Sequence, residues 1–112
     1  MNVYSIRYKH EYNLTVNKLY ANRDRGYLEL ESARESAERE YVDTLGKCKA
    51  AGFRYALLGS SEDITDEQKQ AIDSSREVLR NILQSLNDYV KGHMPEEWNN
   101  LDNIMRYRDN KP

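Results

Sequence analysis

Cysteine is nearly absent. Cys48 stands alone, which excludes an internal disulfide and suits a reducing compartment. Histidine is scarce as well: His10 and His93 lie far apart, and Cys48 has no neighbour at ligand spacing. A zinc or iron centre, which wants about four such ligands, is therefore not expected, and neither is any other cofactor. No run approaches the roughly 18–20 apolar residues of a membrane helix. The first twenty residues alternate polar and apolar where a signal peptide would show an apolar block. Asn13-Leu14-Thr15 matches a glycosylation sequon, but without a secretory signal it reads as coincidence, and the expected location is cytoplasmic. Two prolines and five glycines form no linker, and no internal repeat or low-complexity tract is visible.

What is present is charge and tyrosine. Of 112 residues, 32% are charged and 38% hydrophobic, and nine tyrosines face one phenylalanine. The length suits one domain, 1–112, with a thin core supported by amphipathic faces. Tyrosine buries its ring while its hydroxyl stays wet or bonded, which fits a half-buried surface or an interface. Charge is unevenly spread. Arg7, Lys9, Lys18, Arg23 and Arg25 against Glu11 and Asp24 give residues 1–27 a charge of +3, leaving −5 for the rest of a chain whose net charge is −2. Asymmetry of this kind can steer a partner.

From Tyr4 to Val16 every second residue is apolar, aromatic or histidine: Tyr4, Ile6, Tyr8, His10, Tyr12, Leu14, Val16. Strand side chains point to opposite faces in turn, so the spacing predicts β structure with one tyrosine-rich face. Thirteen residues is long for a strand. The expectation is a hairpin over about 3–20, with an odd-numbered loop around His10 that keeps Tyr8 opposite Tyr12; one uninterrupted strand is the alternative.

Beyond the polar break at Asn22–Gly26 the period changes. Tyr27, Leu30, Ala33, Ala37, Tyr41, Leu45 and Cys48 recur at three- and four-residue steps and mark a helix over about 28–51. Ser32 with Glu35 matches a capping box, which would start that helix later and leave 27–31 as strand. Gly52 reads as its stop. Phe53–Leu58, short and apolar between two glycines, reads as a further short strand. Thr65 with Gln68 is a second capping box, opening a long helix over 65–91 with Ile72, Ser75, Leu79, Ile82, Leu86 and Tyr89 along one stripe. Gly92 ends it, and Pro95 opens a short helix to about Tyr107 carrying Trp98, Leu101, Ile104 and Met105, before a frayed tail at 108–112. The expected fold class is α+β: an N-terminal hairpin packed on two longer helices and a short C-terminal one.

No residue pattern points to catalysis. Ser60 and Ser61 lack a nucleophile elbow, and Gly59-Ser60-Ser61 lacks the glycine-rich run and lysine of a phosphate loop. Glu31, Glu35 and Glu38 lie on a polar helix face beside Arg34 and Arg39, without the burial that raises a general acid's pKa. The favoured expectation is a non-enzymatic protein-binding module, an inhibitor or adaptor, with a homodimer through the 66–91 helix as one form of it. The alternative is single-stranded nucleic-acid binding, tyrosines stacking on bases and cations meeting phosphates. Either way the candidate contact residues are Arg7, Lys9, Lys18, Arg23 and Arg25.

In overall character, short, charged, rich in tyrosine and asparagine and without an active-site motif, the chain resembles small bacteriophage-encoded host-takeover proteins, anti-CRISPR inhibitors among them. That resemblance implies action by occupying a protein surface. It aligns no residue.

Overall fold

The computed structural model describes residues 3–99, and these are helical throughout, joined by short turns. Five helices follow in order: α1 (Val3–Ala21), α2 (Arg25–Lys47), α3 (Lys49–Leu58), α4 (Asp66–Gly92) and the single turn α5 (Glu96–Asn99). No strand occurs among the described residues, so the expected α+β class is overturned and the fold is mostly helical.

The N-terminal hairpin is the largest correction. On a helix each residue advances about 100° and each two-residue step about 200°, so strict alternation separates into two strings on opposite sides. One holds Tyr8, Tyr12 and Val16, all half-buried; the other holds Ile6, His10 and Leu14, all exposed. The string that faces inward is completed by Thr15 and Leu19, both buried. Neither lies on the alternating set. Thr15 is accommodated because its hydroxyl donates to the Glu11 carbonyl one turn back, at 2.8 Å, satisfying a group that burial would otherwise penalise. The pairing that made a strand plausible becomes an i,i+4 ring contact, Tyr8 to Tyr12, with centroids 6.3 Å apart.

Helix α1 closes in a Schellman-type turn. Arg23 takes the left-handed conformation (φ 52), and the Asp24 amide reaches back to the Leu19 carbonyl at 2.9 Å, a role that usually falls to glycine. Asp24 then caps α2, its carboxylate accepting from the Tyr27 amide at 2.9 Å. Residues 27–31 are therefore helix, and Ser32 and Glu35 lie in the interior of α2.

The second helix ends earlier than its periodicity implies. Lys49 sits at φ 56, which breaks the chain between α2 and α3. Gly52 is not a stop: it is buried within α3, where a Cβ would stand 2.5 Å from that of Cys48. The short strand expected at 53–58 is likewise helix. The termination signal lies seven residues on, at Gly59 (φ 70), whose amide donates to the Tyr55 carbonyl at 2.9 Å.

Helix α4 follows its sequence signature. Thr65 Oγ1 accepts from the Gln68 amide at 3.1 Å, while Gln68 Oε1 accepts from the Thr65 amide at 3.0 Å, both halves of a capping box. Asp66 and Glu67 occupy its first turn and Lys91 its last, charges that complement the helix dipole. Pro95 stands just before α5, its carbonyl accepting from the Trp98 amide. The expected continuation to Tyr107, with Leu101, Ile104 and Met105, and the tail at 108–112 lie outside the described residues.

The chain divides into two compact units. The first comprises Met1–Leu28 with Leu86–Pro112, the second Glu29–Ser85. In the first unit the buried side chains among the described residues are Thr15, Leu19, Tyr27, Leu86, Val90 and Met94, with Val90 fully enclosed. In the second, Leu45, Cys48, Ala51, Ile64 and Ile72 form the core, flanked by Tyr41, Tyr55 and Ala56. No helix among the described residues is long and apolar enough to cross a membrane.

Candidate interaction surfaces

Polar side chains with unusual environments are taken up in holding helices together. In the first unit the Tyr89 hydroxyl donates to Asp24 Oδ1, and the Tyr89 ring lies over Gly26, where any Cβ would stand 2.5 Å from the phenol oxygen. These bonds hold the Asp24 carboxyl below its ordinary range, chiefly through the Tyr89 hydroxyl and then the Tyr27 amide. His93 closes the cluster, its Nδ1 2.8 Å from the Tyr89 carbonyl and its ring 4.5 Å from the Tyr89 centroid.

The second unit has a comparable arrangement. The Tyr55 hydroxyl donates to the Asp73 carboxylate at 2.8 Å, and that bond to an anion raises the tyrosine's pKa. Arg76 donates to the Tyr41 hydroxyl and to the Ala56 carbonyl, each at 3.2 Å, so one guanidinium joins α2, α3 and α4. On α2, Arg34 lies between Glu31 and Glu38; its pKa is raised, first by the Glu31 hydrogen bond. Glu31 and Glu38 are thus ion-pair partners. No group of three or more His, Cys, Asp or Glu side chains able to hold a metal occurs among the described residues.

The five cations singled out from sequence are all exposed, but they do not form one patch. Arg7, Lys9 and Lys18 belong to α1, Arg23 to the turn that follows, and Arg25 to the start of α2. Arg7 and Lys18 are eleven residues apart, three helical turns, and fall along one line; Lys9 falls on the other side of the exposed surface. Arg7 also stands 5.2 Å from the centroid of the Trp98 ring, a cation–π contact that ties α1 to α5.

Sequence reasoning passed over the exposed apolar side chains. On α1, Val3 is 68% exposed, Ile6 53% and Leu14 49%. At the end of α3, Leu57 and Leu58 are 80% and 79% exposed, with Phe53 one turn earlier at 46%. The signal was available in the first case, since Ile6, His10 and Leu14 stand four residues apart. For α3 there was none: a short segment between two glycines reads as a strand, and nothing in it marks Leu57 and Leu58 as exposed. The stripe of α4 is mixed: Ile72 belongs to the second unit's core and Leu86 and Val90 are buried in the first, while Val78 and Leu83 beside them are exposed.

Helices joined by short turns, with bonded polar clusters between them and some apolar side chains left outside, define the class of this chain as a mostly helical protein. Comparison with known proteins finds no matching family model, no matching curated protein and no matching solved structure.

Proposed function

We propose that the chain is a small, non-enzymatic protein-binding module that occupies a surface of another protein, in the manner of a stoichiometric inhibitor or adaptor. One observation carries this reading. Leu57 and Leu58, adjacent at the end of α3, leave about four-fifths of each side chain in water, with Phe53 beside them. Apolar side chains clustered in this way cost solubility and mark contact sites more often than isolated ones do.

The occupant is a different protein with an apolar cleft. Three side chains offer a few hundred Å², short of the roughly 800 Å² per partner that a stable pair buries. A self-paired copy would bring only the same small patch again, whereas a cleft can wrap the helix end. Support for the nucleic-acid alternative is weaker, because it needs tyrosines and cations on one accessible surface. On a helical α1 the rings of Tyr8 and Tyr12 turn toward the half-buried side and Tyr27 is buried, which leaves Tyr20 exposed without a second accessible ring beside it among these.

The test compares the wild-type chain with Leu57→Ser/Leu58→Ser as paired baits in bacterial lysate, read by mass spectrometry, with light scattering on both. The expected result is a monomer that retains a protein in stoichiometric amount, which the variant loses. Identical retention by both baits, or self-association abolished by the substitutions, would overturn the proposal.

A further inference from the structure

We propose that the outward face of α1 is a second docking surface, distinct from the end of α3, and that it takes an acidic amphipathic helix of a partner protein. Val3, Ile6, His10 and Leu14 recur at three- and four-residue steps and share one side of the helix, and all four are exposed. Arg7 and Lys18 border this stripe along one edge and Lys9 along the other. Three apolar anchors, Val3, Ile6 and Leu14, with the polar His10 among them and charge at the rim, are how one helix presents itself to another.

Charge selects the partner. Helix α1 carries Arg7, Lys9 and Lys18 against Glu11, a net +2 in a chain whose total is −2. An acidic segment is therefore drawn to this face and repelled by the remainder of the molecule, which fixes where it lands as well as how fast. A second copy of the chain fits poorly, because pairing two α1 faces sets Arg7, Lys9 and Lys18 against their own kind. An anionic membrane fits poorly for another reason. Asn13, Asn17 and His10 lie within or beside the stripe, and their polar groups would lose hydrogen bonds among acyl chains. A polypeptide can supply those bonds. At 19 residues the helix is about 28 Å long, enough for several turns of a facing helix.

The probe is a synthetic helical peptide of about 20 residues with a leucine stripe flanked by glutamates. The same peptide with lysines for glutamates, and vesicles of equal parts phosphatidylserine and phosphatidylcholine, serve as comparators. Binding to the full chain is read by fluorescence anisotropy at about 50 and about 300 mM salt. The acidic peptide is expected to bind at least about tenfold tighter than the lysine peptide at low salt. Ile6→Ser/Leu14→Ser should weaken it by about tenfold, Lys9→Glu/Lys18→Glu should remove the charge preference, and Leu57→Ser/Leu58→Ser should leave binding unchanged. Circular dichroism checks that each variant remains helical; all six side chains are exposed. Equal binding of the two peptides, stronger binding to vesicles, insensitivity to Ile6→Ser/Leu14→Ser, or loss in the α3 variant would each overturn the proposal. None of these outcomes bears on whether the end of α3 has its own partner.

Discussion

Around the break between α2 and α3, glycine and lysine stand in each other's natural places. Gly46 lies in the last turn of α2, exposed, with nothing within 4 Å of where a Cβ would be; Lys49, at φ 56, occupies the left-handed region that glycine tolerates best. Gly46→Ala is expected to stabilise the chain by up to about 0.5 kcal/mol, the lower end of the helix-interior value because the site is in the last turn. Lys49→Gly should do so by less, relief of the left-handed strain being partly offset by a more flexible unfolded chain. Gly52→Ala should go the other way, by about 1–3 kcal/mol, because its Cβ would meet that of Cys48 at 2.5 Å and the Leu45 carbonyl at 3.1 Å. Urea unfolding of the three variants checks the signs, and a stable Gly52→Ala would contradict the close approach. A second residue-level expectation concerns Asp24. Its pKa is lowered in the folded state, mainly by the Tyr89 hydroxyl, so the stability this provides is present above the unfolded carboxyl value, about 3.9, and is lost as pH falls through the folded one. The stability gap between wild type and Tyr89→Phe should therefore be open at neutral pH and narrow in acid. In the variant, the Asp24 carbon resonance should titrate closer to an ordinary aspartate.

At the scale of elements, what was legible depended on whether a signal had one geometric solution. Thr65 and Gln68 reciprocally cap a helix and nothing else, and the stripe from Ile72 to Tyr89 is long enough to exclude a strand; the expected 65–91 stands beside an observed Asp66–Gly92. The α1 alternation had two solutions. Seven positions at period two describe one face of a strand, yet the same positions describe two i,i+4 strings on a helix, and only burial chooses between them. The choice turns on Thr15, a polar position of the alternation, and Leu19, which lies beyond it; both are buried. Phe53–Leu58 failed for a related reason: six residues, apolar but for Arg54, fit a short strand or a helix end, and the left-handed turn at Lys49 that starts α3 has no glycine or proline to announce it. The candidate cations were legible as residues but not as an arrangement. Strand geometry put Arg7 and Lys9 on one face, whereas 100° per residue puts them on opposite edges of an apolar stripe. Exposure of Leu57 and Leu58 had no sequence signature at all.

For the molecule as a whole, the division into Met1–Leu28 with Leu86–Pro112 and Glu29–Ser85 means that each unit holds its own fully buried aliphatic residue, Val90 in one and Ile72 in the other. Truncating either leaves a cavity, at a cost of about 2–5 kcal/mol for Ile72→Ala and somewhat less for Val90→Ala. Proteins open in cooperative pieces of unequal stability, so the two losses should be felt in different places. Hydrogen exchange is expected to quicken within 29–85 in Ile72→Ala, with residues 3–28 and 86–99 keeping more of their protection, and the pattern should invert in Val90→Ala. With Ile72 in the core of one unit and Val90 buried in the other, the double variant should fall within about 0.5 kcal/mol of the sum of the singles. Uniform loss of protection across both segments in each variant would mean that the units open together. A partner held on α1 would then be coupled to one held on α3 through global stability, and ligation of either surface would slow exchange in both. With separate opening, the acidic peptide on α1 should protect 3–28 and 86–99 and leave 29–85 at its unliganded rate.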